Sequence, residues 1–353
     1  MRKLIIGNKI ARVPIIQGGM GVGVSAGKLA GAVAKAGAVG IISSAQIGYL
    51  EEDFVTNHKE ANNRALRANI QYAKEQSQGG LVGVNVMHAL KDYEEHVRVS
   101  VEAGADVVIC GAGLPMNLPE LVAGSDTKFA PIVSSAKAAS ILLRRWAKTY
   151  DTTADFIVIE GPMAGGHLGF DPDRVEHYRH NISEYDEEIA AIIETVKPFE
   201  DQFKRHIPVI VAGGIFDYND IMHAIGLGAD GVQIASRFVA TDECDASDAY
   251  KEAYIKAKTE DIRIIKSPVG MPGRAINNRF LEEIGTNKSP IRCLGCLAKC
   301  NPAQIPYCIT DVLIRAVKGD VENGLVFAGE NVGRIDKIVS VQELIDELMT
   351  GAV

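Results

Sequence analysis

No uncharged apolar run in this 353-residue chain reaches the ~18 residues needed to cross a bilayer. The first apolar stretch is three residues long, too short for the core of a signal peptide. There is no basic excess either: 37 Lys and Arg stand against 45 Asp and Glu, a net charge of −8. Such a surface has no general attraction for nucleic acid or an anionic membrane. Disorder is excluded, because 47% of residues are hydrophobic and the net charge is modest. Internal repeats are missing, so the 35 glycines belong to tight turns and close backbone approaches rather than to a fibre. The expectation is a soluble cytoplasmic protein acting on a small molecule, with self-association left open.

What is present is an alternation. Short runs rich in Val and Ile end in Gly or Ser at residues 13–17, 39–43, 81–87, 107–110, 130–134, 156–160, 209–212 and 231–235. They are nearly continuous in apolar character, as parallel strands buried on both faces are. Helical spacing appears at 24–36, 58–76, 92–103, 136–149, 184–203 and 218–227, with an eighth helix expected at 249–258. Eight strands with intervening helices predict an α/β fold of the (β/α)8 TIM-barrel type over residues 1–258. Residues 259–353 are less periodic and punctuated by proline. They are expected to form a C-terminal extension packing on the barrel and ending in a helix at 341–349. A polar insertion, 170–185, follows strand six on the side where barrel active sites are built.

Chemistry concentrates at strand ends. Gln17-Gly18-Gly19-Met20-Gly21-Val22-Gly23 follows strand one. Its glycines let backbone amides approach a flat or anionic ligand, although a plain strand-to-helix loop reads the same way. The spacing is not the Gly-x-Gly-x-x-Gly of a dinucleotide fold. After strand six, Glu160-Gly161-Pro162-Met163-Ala164-Gly165-Gly166-His167-Leu168-Gly169 places an open histidine where barrel catalytic residues emerge. His167 is the expected general base. Gly213 and Gly214 after strand seven, with Ala235 and Ser236 after strand eight, match the phosphate cradle that many barrels build there. One phosphate site suggests a mononucleotide rather than a dinucleotide.

Cys293, Cys296, Cys300 and Cys308 crowd into sixteen residues. Their spacing matches no common zinc or ferredoxin pattern, so no metal is assigned and they are read as reduced thiols in an irregular loop, with a metal or cluster left open.

Several of these segments together resemble the nitronate monooxygenase family, formerly 2-nitropropane dioxygenases, and the related enoyl-acyl-carrier-protein reductase II. They are Pro14-Ile15-Ile16-Gln17-Gly18-Gly19-Met20, Gly83-Val84-Asn85, Ala164-Gly165-Gly166-His167-x-Gly169, Pro208 through Ile215, and Gly228 through Gln233. The resemblance runs in order over about residues 10–240. It implies an FMN-binding TIM barrel that oxidises alkyl nitronates to carbonyl compounds and nitrite with O2. By the same resemblance Gly18, Gly19 and Met20 line the isoalloxazine, Asn85 faces it, and Glu160, Gly165 and Gly166 lie along the cofactor. Gln233 approaches the ribityl chain or ring, Gly213, Gly214, Ala235 and Ser236 hold the phosphate, and His167 is the catalytic histidine. The alternatives are an NAD(P)H-dependent enoyl-acyl-carrier-protein reductase, with NAD(P)H as co-substrate, and a flavin-binding redox-sensing module using the cysteine tail. The family's usual Gln-Gly-Pro-Met is Gln-Gly-Gly-Met here, and the insertion and the cysteine-rich tail also depart from its pattern.

Overall fold

The computed structural model describes residues 2–284 and 293–351. Its strands are β1 (Leu4–Ile6), β2 (Lys9–Ala11), β3 (Ile15–Gln17), β4 (Val39–Ser43), β5 (Leu81–Met87), β6 (Val107–Gly111), β7 (Lys128–Val133), β8 (Ile157–Glu160), β9 (Gly166–His167), β10 (Val209–Ala212), β11 (Gly231–Ile234), β12 (Ile262–Lys266) and β13 (Pro272–Ile276). β3 to β8, β10 and β11 form a closed barrel in which every neighbouring pair is parallel, and β11 returns to β3 through Val232↔Ile15 and Ile234↔Gln17. This is the (β/α)8 barrel.

Side chains alternate along each strand. One set, including Ile16, Ile41, Val107, Ile109, Val158 and Ile210, fills the barrel interior. The other, including Ile15, Ile42, Val82, Val84, Ile157, Ile159 and Val232, packs against the outer helices. Both sets are buried, which is why the strands read as unbroken apolar runs. The β1–β2 hairpin delivers Leu4, Ile6 and Ala11 to the interior cluster and closes the amino-terminal mouth. The barrel is therefore solid, and any ligand must enter from the carboxyl ends of the strands.

The first outer helix begins at Gly27 rather than at 24, because the glycine loop folds back before it. Ser25 Oγ accepts the Met20 N–H at 2.8 Å, and the Ser25 N–H donates to the Met20 carbonyl. The carboxylate of Asp245 then accepts the N–H groups of Ala26, Lys28 and Leu29, satisfying donors that the helix cannot use itself. The insertion is helical: Pro172–His180 precedes a long helix, Ile182–Phe203, and Phe170, Tyr178 and Tyr185 meet edge to face at its base.

The helix expected near 249–258 forms as Asp248–Lys256, but its Tyr250 and Tyr254 pack with Val326 and Val332 of the extension. The last helix, Val341–Thr350, instead sits on the barrel, between the helices Gly27–Lys35 and Tyr218–Gly226. Val341, Leu344, Ile345 and Leu348 join the main core there. No helix among the described residues is long and apolar enough to cross a membrane.

Because Leu344 is fully buried in that seam, Leu344→Ala should destabilise the fold by about 2–5 kcal/mol. Urea unfolding followed by circular dichroism measures it; a loss under about 1 kcal/mol would mean that the last helix is not part of the barrel's cooperative core.

Candidate active site

The carboxyl ends of the barrel strands open into a cavity of about 250 Å³. Its walls include each residue assigned from the sequence to the cofactor or to catalysis: Gly18, Gly19 and Met20 after β3, Asn85 on β5, Glu160 at the end of β8, Gly165, Gly166 and His167 beyond it, Gly213 and Gly214 after β10, and Gln233, Ala235 and Ser236 at β11. Residues scattered over more than 200 positions thus share one rim. Gln17 organises the first part of it. Its amide donates to the Gly18 carbonyl, and its Oε1 accepts the Ile41 N–H at 2.9 Å, tying the glycine loop to β4.

Backbone approach explains the glycines. Gly213 and Gly214 have φ of +88° and +89°, values that L side chains rarely adopt. A Cβ on Gly213 would lie 2.8 Å from the Gly161 carbonyl oxygen, and one on Gly165 would lie 2.5 Å from the Ala328 backbone. The cavity wall between the β10 and β11 ends is therefore mostly backbone, with the Met163 and Ser236 side chains beside it. An anionic group fits such a wall, and the residues present are compatible with a flavin phosphate.

Among the titratable side chains that line this space are His167 and Glu160. His167 belongs to a short ladder in which β9 pairs antiparallel with β13, Gly273 opposite His167 and Arg274 opposite Gly166. Its Nε2 shares a 2.7 Å hydrogen bond with Ser267 Oγ, and its ring meets Phe327 edge to face at 4.9 Å. Burial pushes its pKa down to about 4, so the imidazole is neutral at physiological pH. Glu160 behaves in the opposite way. Burial raises its carboxyl to about 7, against the pull of hydrogen bonds from the Gly169 N–H at 2.6 Å and Ser134 Oγ at 3.4 Å.

The extension supplies a strap across this rim that periodicity could not reveal. The Gly329 N–H donates to Ser236 Oγ at 2.9 Å, Asn331 Nδ2 to the Gly214 carbonyl at 2.7 Å, and the Glu330 N–H to the Met163 carbonyl. Arg274, with 1% of its surface exposed, donates to the Pro162 and Ala164 carbonyls and pairs with Glu330 through Nε at 2.9 Å. Glu330 also pairs with Arg179 of the insertion at 2.7 Å. Phe216, another wall residue, lies between the guanidinium groups of Arg237 and Arg334, 4.4 and 4.0 Å from its ring centre. Phe327, Asn331, Arg274 and Ser267 brace this rim and were missed by the sequence reading. Their only local signal is a short apolar run, 325–328, ending in Gly329, and nothing in it points to a barrel rim.

A second cavity of about 590 Å³ continues beyond His167. Leu114, Val269, Met271 and Leu297 contribute apolar wall, and His88, Ser134, Glu160, His167 and Lys299 are among its polar groups. The cysteine-rich loop forms part of this wall. The Lys91 N–H donates to the Cys296 carbonyl and the Ala298 N–H to the Ala89 carbonyl, each at 3.0 Å. Cys296 is buried under a 3.1 Å hydrogen bond from Thr310 Oγ1, and Cys300 lines the cavity. All six cysteines are free thiols, and among the described residues no group of three or more His, Cys, Asp or Glu has metal-holding geometry.

The family model for nitronate monooxygenase matches residues 3–351. A probable nitronate monooxygenase of Staphylococcus aureus (strain Newman) is 29% identical over 294 residues, 79% of each chain. Over nearly the full length, 96% of this chain and 92% of the other, it is 23% identical to the (3aS,4S,5R,7aS)-5-hydroxy-7a-methyl-1-oxo-octahydro-1H-indene-4-carboxyl-CoA dehydrogenase of Rhodococcus jostii (strain RHA1). Among solved structures, FabK from Thermotoga maritima superposes with a TM-score of 0.73 at 28% identity, covering 96% of this chain and 92% of that one.

The strap depends on a buried charge pair, so Glu330→Ala, which leaves Arg274 unmatched, should cost about 3–5 kcal/mol of stability. Chemical denaturation of the purified variant checks this. A cost under about 1 kcal/mol would show that the pair does not hold the strap.

Proposed function

The chain belongs to the nitronate monooxygenase family, and from that premise we propose that it is an FMN-dependent oxidoreductase that oxidises alkyl nitronates to carbonyl compounds and nitrite with O2. The observation that carries the reading is the convergence of the family's motif residues on one cavity, whose lining holds both the positive-φ glycines after β10 and His167. FMN, when bound, supplies the electron chemistry with substrate and O2. The protein's own groups do the rest. Gly213, Gly214, Ala235 and Ser236 hold the phosphate, while Gly18, Gly19, Met20, Asn85 and Gln233 bound the ring and ribityl chain, beside Glu160, Gly165 and Gly166. A nitronate arrives already deprotonated and needs no base. His167, neutral and braced by Ser267 and Phe327, suits a hydrogen-bond donor to the anion's oxygens better than a proton acceptor.

One observation favours a second reading. The apolar cavity of about 590 Å³ beyond His167 offers far more room than a small nitronate requires. An acyl thioester reduced at the expense of NAD(P)H would use it, and the Rhodococcus relative is named for a coenzyme A thioester. Aerobic nitrite release from propionate 3-nitronate, set against NADH consumption with a crotonyl thioester, separates the two. Nitrite release supports the first reading, NADH consumption with the thioester supports the second, and neither reaction would leave a binding module.

The purified protein should be yellow and release FMN, not FAD, on denaturation. Gly214→Asp should lose it, because a carboxylate would meet the phosphate dianion at a position with positive φ. Released FAD, or full flavin content in that variant, contradicts the cradle. His167→Asn should keep its flavin yet lose about 10- to 100-fold in kcat/KM on a nitronate, the worth of a hydrogen bond to a charged group. Unchanged kinetics would remove His167 from the site.

A further inference from the structure

We propose that Cys293 and Cys300 form a peroxide-sensitive dithiol whose oxidation to a disulfide reshapes the cavity beyond His167. The inference goes beyond the oxidoreductase reading and is the same for either substrate. It starts from the one motif that the site above the barrel axis does not use, Cys293-x2-Cys296-x3-Cys300-x7-Cys308.

The six thiols differ in what can reach them. Cys110 and Cys244 are sealed in the core. Cys296 is buried as well. Its sulfur is held by the Thr310 hydroxyl at 3.1 Å and its carbonyl takes the Lys91 N–H, so it anchors the loop. Cys308 precedes the helix Ile309–Val317 and accepts the Val312 N–H through its carbonyl, so its place is set by that helix. Cys293 is exposed, while Cys300 is half-buried and lines the second cavity. These two lie on either side of the anchor.

Two chain reversals separate them. Gly295 has φ of +67°, and its N–H turns back to the Cys293 sulfur at 3.3 Å. Leu297 then pairs antiparallel with Leu90, and a turn through Ala298 and Lys299 leads into Cys300. Burial, and after it the neighbouring thiols of Cys293 and Cys308, push the Cys300 thiol above its ordinary range. Cys300 is therefore the slower thiol to ionise, and Cys293 is the one that meets an oxidant from solvent. The residues between them, Leu297, Ala298 and Lys299, form wall of the second cavity together with Cys300. A disulfide holds its two Cα atoms within about 4.4–6.8 Å. Closing one here draws Cys300 toward the exposed Cys293 and out of that wall.

The oxidant is hydrogen peroxide. The Cys293 thiolate attacks one peroxide oxygen, the O–O bond breaks, and the sulfur becomes a sulfenic acid while the other oxygen leaves as water with the thiol's proton. The Cys300 sulfur then attacks the sulfenic sulfur, the S–O bond breaks, and a second water leaves. Two thiols lose two electrons and two protons, and one peroxide becomes two waters.

The test treats the FMN-loaded holoenzyme with hydrogen peroxide, blocks the remaining thiols with iodoacetamide and digests with trypsin. Cleavage after Arg292, Lys299 and Arg315 puts Cys293 and Cys300 on separate peptides, 293–299 and 300–315. Mass spectrometry should find these two joined, and dithiothreitol should part them. The joined pair should vanish in Cys293→Ser and in Cys300→Ser and persist in Cys296→Ser and Cys308→Ser. Amide exchange reads the effect on the wall. The Lys91 and Ala298 N–H groups, which tie the loop to the barrel, should exchange about tenfold faster after oxidation, the worth of one backbone hydrogen bond. They should keep the reduced rate in peroxide-treated Cys293→Ser, whose substitution is at an exposed site. Peptides 293–299 and 300–315 that stay separate, or a joined pair that depends on Cys308 instead of Cys293, would overturn the proposal. So would iron or zinc held by these thiols in the purified protein. Joined peptides with unchanged exchange would overturn the link to the cavity.

Discussion

Arg274 carries a positive charge into a region almost without water, and the arrangement above the barrel depends on how that charge is matched. A buried guanidinium needs a counter-charge and hydrogen-bond acceptors. Here these come from two separate stretches of chain, the Pro162 and Ala164 carbonyls of the loop after β8 and the Glu330 carboxylate of the strap, and Glu330 in turn pairs with Arg179 of the insertion. Holding those stretches together orients the Gly165–His167 segment against β13 and brings Phe327 and Ser267 to the histidine. A barrel with the same eight strands but without this charge would keep its interior and lose the definition of its rim.

Two titratable groups, His167 and Glu160, meet where the two cavities adjoin. The site desolvates both, but desolvation moves an acid and a base in opposite directions. It holds the imidazole of His167 neutral and makes the Glu160 carboxyl a weaker acid. Two groups at one junction are therefore shifted in opposite directions by the same burial.

The barrel was legible in the sequence because both faces of each strand are buried, so runs such as Leu81–Met87 and Val209–Ala212 needed no tertiary information. Gly18, Gly165, Gly213 and Ser236 were legible as a group because each lies just past a strand end, and a closed barrel brings strand ends together. What escaped is non-local. The β9–β13 ladder has two residues on one side, too few for any period, and the strap Gly329–Asn331 acts through backbone groups, one amide and the Glu330 carboxylate. The eighth outer helix was sought next to the last strand, yet the chain fills that place with Val341–Thr350, about a hundred residues later. The cysteines drew attention as possible ligands, whereas Leu297 and Cys300 of the same loop wall the second cavity.

The central claim is that this rim transfers electrons from an alkyl nitronate to a bound flavin. Anaerobic mixing of the purified holoenzyme with ethyl nitronate, in the absence of NAD(P)H, tests it most directly through the visible flavin absorbance. The account predicts that the absorbance is lost on mixing and returns when O2 is admitted. Absorbance that persists with the nitronate but is lost on adding NADH would contradict it and assign the site to nicotinamide-driven reduction.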